Sequence, residues 1–176
     1  MEPVGIRVAE RADYGVRLGT LLIFALVLPG LVASITYGIL FGLDFFQASL
    51  SSLVAYIFFF GFLANVAGHF IDLVFYRNVY PKIYCRLLPN RKPLSFEDFP
   101  RRVYTISDPV KRGAAEYHFA WFCFMFNSGT VITGLSILNL ASSNINYINS
   151  FFFLAISAFC FYLANFHART ALHLAT

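Results

Sequence analysis

Charged residues are scarce in this chain, and three long stretches have none at all. Only 12% of the 176 residues are Asp, Glu, Lys or Arg, whereas a soluble domain typically has about 25%. Residues 18–43, 45–71 and 117–168 contain none of the four. A helix needs about 20 apolar residues to cross a bilayer, and the third stretch is long enough for two crossings. We therefore expect a membrane protein with four spans.

Motifs for catalysis and for disulfide frameworks are missing as well. The three cysteines, Cys85, Cys123 and Cys160, form no CxxC pair, so neither a zinc ribbon nor a thiol redox motif is indicated. The sequence also lacks a Gly-rich phosphate loop, an HExxH pair and a GxSxG nucleophile elbow. We predict that the protein is not an enzyme and uses no cofactor.

The positive charges that are present all fall on one side of the predicted membrane. Of the thirteen Lys and Arg residues, three lie in residues 7–17, nine lie in residues 77–112, and the last is Arg169. Lys and Arg concentrate in cytoplasmic loops, so both termini and the loop between the second and third spans should be cytoplasmic. Nine basic less three acidic residues give that loop a net charge of +6.

This pattern predicts an all-α integral membrane protein, a single domain over residues 1–176 built as a four-transmembrane-helix bundle. We place the spans at residues 18–41, 50–75, 114–140 and 150–167, and the basic cytoplasmic loop at residues 76–113. Asp108 followed by Pro109 is typical of a helix start, so the third helix should begin before its span and run to about residue 140. Pro29 lies inside the first span, where a proline can kink the helix.

Small and polar residues recur along the second and third spans at alternating steps of three and four, which places them on one face of each helix. Small residues let transmembrane helices approach closely, and Asn or Thr form hydrogen bonds across the contact. A polar-lined pore, within one bundle or between subunits, is the alternative use of these faces. The predicted oligomer or pore residues are Gly61, Asn65, Gly68, Asp72, Cys123, Asn127, Thr130 and Gly134.

The basic loop carries aromatic and aliphatic residues between its charges, which favours an ordered cap on the bundle. We predict that it contacts a cytoplasmic protein partner or the anionic headgroups of membrane lipids. Direct binding to nucleic acid is not favoured, because no recognition fold fits in the loop. The predicted contact residues are Arg86, Arg91, Lys92, Arg101, Arg102, Lys111 and Arg112.

All four histidines lie near the predicted cytoplasmic helix ends. An alternative interpretation is therefore an intramembrane metal-dependent or lipid-modifying enzyme, with His69, Asp72, Glu116 and His118 as metal ligands or acid–base groups. His69 and Asp72 are three apart, which lets both face one ion. Glu116 and His118 are two apart and diverge by about 200° on a helix, so interfacial histidines and an ion pair between helix ends are favoured over a metal site.

The preferred hypothesis is a non-enzymatic, homo-oligomeric membrane module that acts as a sensor, an anchor or a pore-forming subunit. It would work through self-assembly and a cytoplasmic partner. A small channel or transporter subunit is a further alternative. In size and topology alone, the chain resembles small membrane components of bacterial anti-phage defence and stress systems, and this resemblance implies a bacterial inner membrane.

Overall fold

Four long helices make up most of the described chain. The computed structural model describes residue 20 and residues 23–42, 49–71, 103, 105–142 and 147–174. One π-helical turn, Ile23–Val27, leads into α1 (Leu28–Phe41), which is followed by α2 (Leu50–Ile71), α3 (Pro109–Leu140) and α4 (Tyr147–Leu174). Each is long and apolar enough to cross a membrane, if the π turn is counted with α1. The prediction of four such helices is confirmed.

The ends of α3 and α4 follow from local sequence and from packing. The Asp108 carboxylate accepts hydrogen bonds from the amides of Val110 and Lys111 at 2.9 and 3.4 Å, so the predicted N-cap of α3 is confirmed. With 32 residues, α3 is about 48 Å long and exceeds a hydrocarbon core of about 30 Å. The α4 helix runs well past the predicted end of its span at residue 167, because Ala171 and Leu172 are buried in an apolar cluster.

The α3 helix lies at the centre of the arrangement. It packs against α1, α2 and α4, whereas α4 makes most of its contacts with α3. Hydrogen bonds join Asn127 to Ala25 and Asn139 to Leu40, so α1 and α3 run in the same direction. All four helices contribute to one apolar core, which consists of Ala33, Leu40, Phe60, Ile132, Leu135 and Phe153.

The two ends of this four-helix arrangement differ in composition. At one end, here called the His end, His118 of α3 lies beside His167 of α4. At the opposite end, here called the Asn139 end, α1 finishes at Phe41 and α4 begins at Tyr147. A second apolar cluster covers the His end and includes Val103, Ala115, Ala171 and Leu172. Val103 and Ile106, which precede α3, are therefore packed against α3 and α4.

Candidate functional site

Asn127 of α3 binds the first helix where a proline interrupts its backbone hydrogen bonds. Pro29 has no N–H and cannot donate to the carbonyl of Ala25, four residues before it. The Asn127 Nδ2 donates to that carbonyl at 2.9 Å, and the Asn127 side chain is only 7% exposed. On its other side, the Asn127 Oδ1 lies where a methyl group on Gly68 of α2 would be. Because a free carbonyl is costly in hydrocarbon, Asn127 stabilises the π-helical segment while joining three helices.

Two glycines let the first two helices approach until their backbones touch. A Cβ atom on Gly30 would overlap the carbonyl oxygen of Ile57. A Cβ atom on Gly61 would overlap the carbonyl oxygen of Leu26. Close contact of small residues is the usual way in which transmembrane helices gain packing energy. This crossing therefore depends on glycine at both positions.

Asn139 performs a similar task at the Asn139 end. Its Nδ2 donates to the carbonyl of Leu40 at 3.0 Å, and its Oδ1 accepts from the hydroxyl of Ser150 at 2.8 Å. Leu40 lies in the last turn of α1, where carbonyls have no partner within the helix. Asn139 is 1% exposed and thus joins the ends of α1 and α3 to the start of α4.

A third polar contact joins α3 to α4 between these two asparagines. The hydroxyls of Thr133 and Ser157 lie 2.5 Å apart, and each lies 2.9 Å from the carbonyl oxygen of Gly129. The missing side chain at Gly129 also matters, because a Cβ atom there would lie 3.2 Å from the Cβ of Cys160. The interface between α3 and α4 thus combines close approach with hydroxyl bonding.

Four of the eight predicted oligomer or pore residues are seen in contacts within the chain. Gly61 and Gly68 lie against neighbouring helices, and Asn127 is bonded to the first helix. Thr130 is buried, and its hydroxyl donates to the carbonyl of Phe126 in its own helix at 2.9 Å. These polar atoms are therefore occupied by backbone carbonyls of the same chain.

Three of the other four predicted residues are described, and they differ in exposure. Cys123 is partly buried, and Gly134 is exposed with open space where a Cβ atom would be. Asn65 is partly buried at the edge of the packed face of α2. Asp72 lies outside the described residues.

The His end contains a pair of histidines that share a hydrogen bond. The Nδ1 atoms of His118 and His167 lie 2.9 Å apart. One of them is therefore protonated and donates a hydrogen bond, and the other accepts it. Trp121 stacks on His167, with ring centroids 5.9 Å apart and an interplanar angle of 17°. The edge contact of Phe24 with Trp121 connects this cluster to the π-helical turn.

The histidine partner of His118 thus lies outside the predicted metal-binding set. His69 is exposed, Glu116 is partly buried, and Asp72 lies outside the described residues. Within the described part of the chain, no three His, Cys, Asp or Glu side chains lie close enough to share a metal ion. Sequence analysis did not single out Trp121, although it follows His118 at a spacing of three and therefore lies on the same side of α3.

The last part of the basic loop is fastened to the His end. The Arg112 Nε and Nη2 atoms donate to the carbonyl of Ile106 at 3.1 and 2.8 Å. Val103 is 4% exposed and packs in the cluster with Ala115 and Ala171. We call Val103, Ile106 and Arg112 the loop anchor. The ordered cap predicted for residues 76–113 stays a prediction, because most of that loop lies outside the described residues.

Most of the predicted partner or lipid contacts precede the loop anchor. Of that set, the structure describes Lys111, which is exposed, and Arg112, which is partly buried. The remaining residues of the set, Arg86, Arg91, Lys92, Arg101 and Arg102, lie outside the described residues.

No protein-family model, curated protein or solved structure matches this chain. These comparisons therefore suggest no function for it. The helix contacts, the histidine pair and the loop anchor are the features from which a function has to be inferred.

Proposed function

We propose that this protein is a non-enzymatic membrane module that self-assembles in the bilayer and presents its basic loop to a cytoplasmic protein partner. The loop anchor carries this proposal. Because Val103 is buried and Arg112 binds the carbonyl of Ile106, the loop meets the helices at a defined position. Lys111, the exposed member of the predicted contact set among the described residues, lies beside this anchor, where a partner could bind it.

The distribution of charge supports a cytoplasmic His end. Lys111 and Arg112 lie in the first turn of α3, and Arg169 lies near the end of α4, so all three are at the His end. The basic loop joins α3 at the same end. The positive-inside rule then orients this end toward the cytoplasm, with both termini on that side. We infer a bacterial inner membrane and a role in stress or anti-phage defence from size and topology alone.

The internal use of polar atoms favours helix packing over a conduit within one subunit. Asn127 and Thr130 would be the polar lining of such a conduit, yet both donate to backbone carbonyls. Breaking the Asn127 bond to coordinate a permeant species would leave the carbonyl of Ala25 unpaired in hydrocarbon, at a cost of several kcal/mol. A channel or transporter subunit would therefore need a path between copies.

The proposal is tested by native mass spectrometry of the protein extracted gently from its own membrane. We expect a homo-oligomer that carries a protein partner. Replacing Arg86, Arg91 and Lys92 with Gln should release the partner and leave the oligomer intact, because these positions lie outside the predicted spans. A control that changes only the two arginines to Lys keeps the charge and should keep the partner. A monomer without a partner would refute the proposal.

An intramembrane enzyme is the second candidate, and the histidine pair favours it. Two imidazoles 2.9 Å apart can share a proton, and each can act as an acid or a base. The same purified samples decide between the two candidates. Stoichiometric metal or lipid that is lost in both His118→Gln and His167→Gln supports the enzyme. Unchanged composition in both variants supports the non-enzymatic module.

A further inference from the structure

One face of α2 is not covered by the other described helices. The buried residues of α2 are Phe60, Gly61, Ala64 and Gly68. Another six residues of α2, beginning at Ser51 and ending at His69, follow one another at alternating steps of four and three. This spacing aligns them along one side of the helix, as in the seam of a coiled coil. They are exposed, apart from a partly buried Asn65. This seam, here called the Asn65 face, consists of Ser51, Ala55, Phe58, Phe62, Asn65 and His69.

Asn65 is the polar residue of this face that lies deepest in the predicted membrane. It lies fifteen residues after Leu50, or about 22 Å along a helix that spans a core of about 30 Å. Its amide forms no hydrogen bond with any other described residue, in contrast to Asn127 and Asn139. Acyl chains have neither donors nor acceptors, so neither the lipid nor the described part of the chain provides a partner for this amide.

We propose that the Asn65 face binds the same face of a second copy of this chain, with the two Asn65 amides hydrogen-bonded to each other. An amide both donates and accepts, so two of them pair across a twofold axis. Phe58 and Phe62 continue the seam toward the Asn139 end and are 53% and 61% exposed, which leaves their rings free to pack against the partner copy. The inference rests on the proposed self-assembly and specifies its surface.

Several features distinguish this contact from the predicted stripe on α2. Gly61 and Gly68 face the inside of the chain and are already covered, so they are not available to a second copy. The α2 helix therefore uses its glycines for the fold and its Asn65 face for assembly. An Asn at a seam position also fixes the register of two helices, because any shift leaves both amides unpaired.

The experiment measures the dissociation constant of the fluorescently labelled full-length protein in lipid nanodiscs or mixed micelles, with native mass spectrometry to give the copy number. Asn65→Leu should raise the dissociation constant by about 3- to 30-fold, the range expected for an interhelical hydrogen bond in a membrane. Asn65→Gln keeps an amide and should retain most of the affinity. Val66→Leu is the matched control, because this neighbour is exposed but lies off the seam, and it should match the unmodified protein.

The outcomes separate this inference from the proposal on which it rests. If the unmodified protein is a monomer, self-assembly itself fails. If it assembles but Asn65→Leu binds as tightly as Val66→Leu, the Asn65 face is not the interface, while self-assembly stands. Fluorescence of the single tryptophan, Trp121, checks that every variant keeps its native packing.

Discussion

Replacing Gly68 with alanine tests the contact that joins α2, α3 and the π-helical turn. The new methyl group would overlap the Asn127 Oδ1 atom, whereas the next nearest atoms, the Asn127 Cγ and the Phe126 Cδ1, lie 3.3 and 3.6 Å away. The Asn127 side chain must therefore move, and its hydrogen bond to the carbonyl of Ala25 is lost or weakened.

The expected loss of stability has two parts. Overpacking of a close contact costs about 1–3 kcal/mol. Loss of an interhelical hydrogen bond in a membrane costs about 1 kcal/mol more. We therefore expect Gly68→Ala to lower the free energy of unfolding by about 2–4 kcal/mol. Gly134→Ala is the matched control on α3, because a Cβ atom there meets nothing within 4 Å and should leave stability nearly unchanged.

A double-mutant cycle isolates the contact from other effects of the methyl group. In an Asn127→Ala background the overlapping oxygen is gone, so Gly68→Ala should cost less than about 1 kcal/mol. The assay is reversible unfolding in mixed micelles, followed by far-UV circular dichroism and by the fluorescence of Trp121, which is the only tryptophan. Two results would show that this contact does not stabilise the fold. One is that Gly68→Ala costs as much in the Asn127→Ala background as in the unmodified protein. The other is that Gly134→Ala costs as much as Gly68→Ala.

Three further predictions concern the other contacts. Gly61→Ala should cost about 3 kcal/mol or more in the same unfolding assay, because its methyl group would overlap the carbonyl of Leu26, a backbone group that cannot rotate away. An unfolding transition like that of the unmodified protein would contradict this. Asn139→Leu should cost about 1–3 kcal/mol, because it leaves the Leu40 carbonyl unpaired. Asn139→Asp should cost at least as much, because a buried carboxylate keeps the acceptor for Ser150 but cannot donate to that carbonyl; unchanged unfolding of both would exclude this role. Arg112→Met should speed amide hydrogen exchange in residues 105–108 by roughly three- to tenfold without changing exchange in the spans, since the bonds to the Ile106 carbonyl are lost. Arg112→Lys should give an intermediate exchange rate. Equal exchange in the unmodified protein and both variants would argue against the loop anchor.

Helix positions could be predicted because they depend on local composition. The charge-free stretches account for the four long apolar helices, and the Asp108-Pro109 pair accounts for the start of α3. Both signals act within a few residues, as desolvation and capping do. The end of α4 was less predictable, since its last two turns are stabilised by Val103, a distant residue of the loop anchor.

Helical periodicity also indicated that polar residues share a face, but it did not reveal which neighbour they meet. Gly61, Asn65 and Gly68 were grouped on one stripe, whereas the structure buries the two glycines and leaves Asn65 at the edge of the packed face. Residues three and four apart differ by up to about 60° around a helix, and that rotation separates a covered position from an uncovered one.

The sequence by itself determined that this chain forms four helices long and apolar enough to cross a membrane, because length and hydropathy are additive properties of short segments. Only the tertiary structure decided the partners. Asn127 meets Ala25 across 102 positions of sequence, Asn139 meets Leu40 across 99, and His118 meets His167 across 49. Each of these polar groups could form a hydrogen bond equally well with many other groups of the chain. Which pairs form is decided by helix order, rotation and close approach at glycine, none of which is encoded in a single segment.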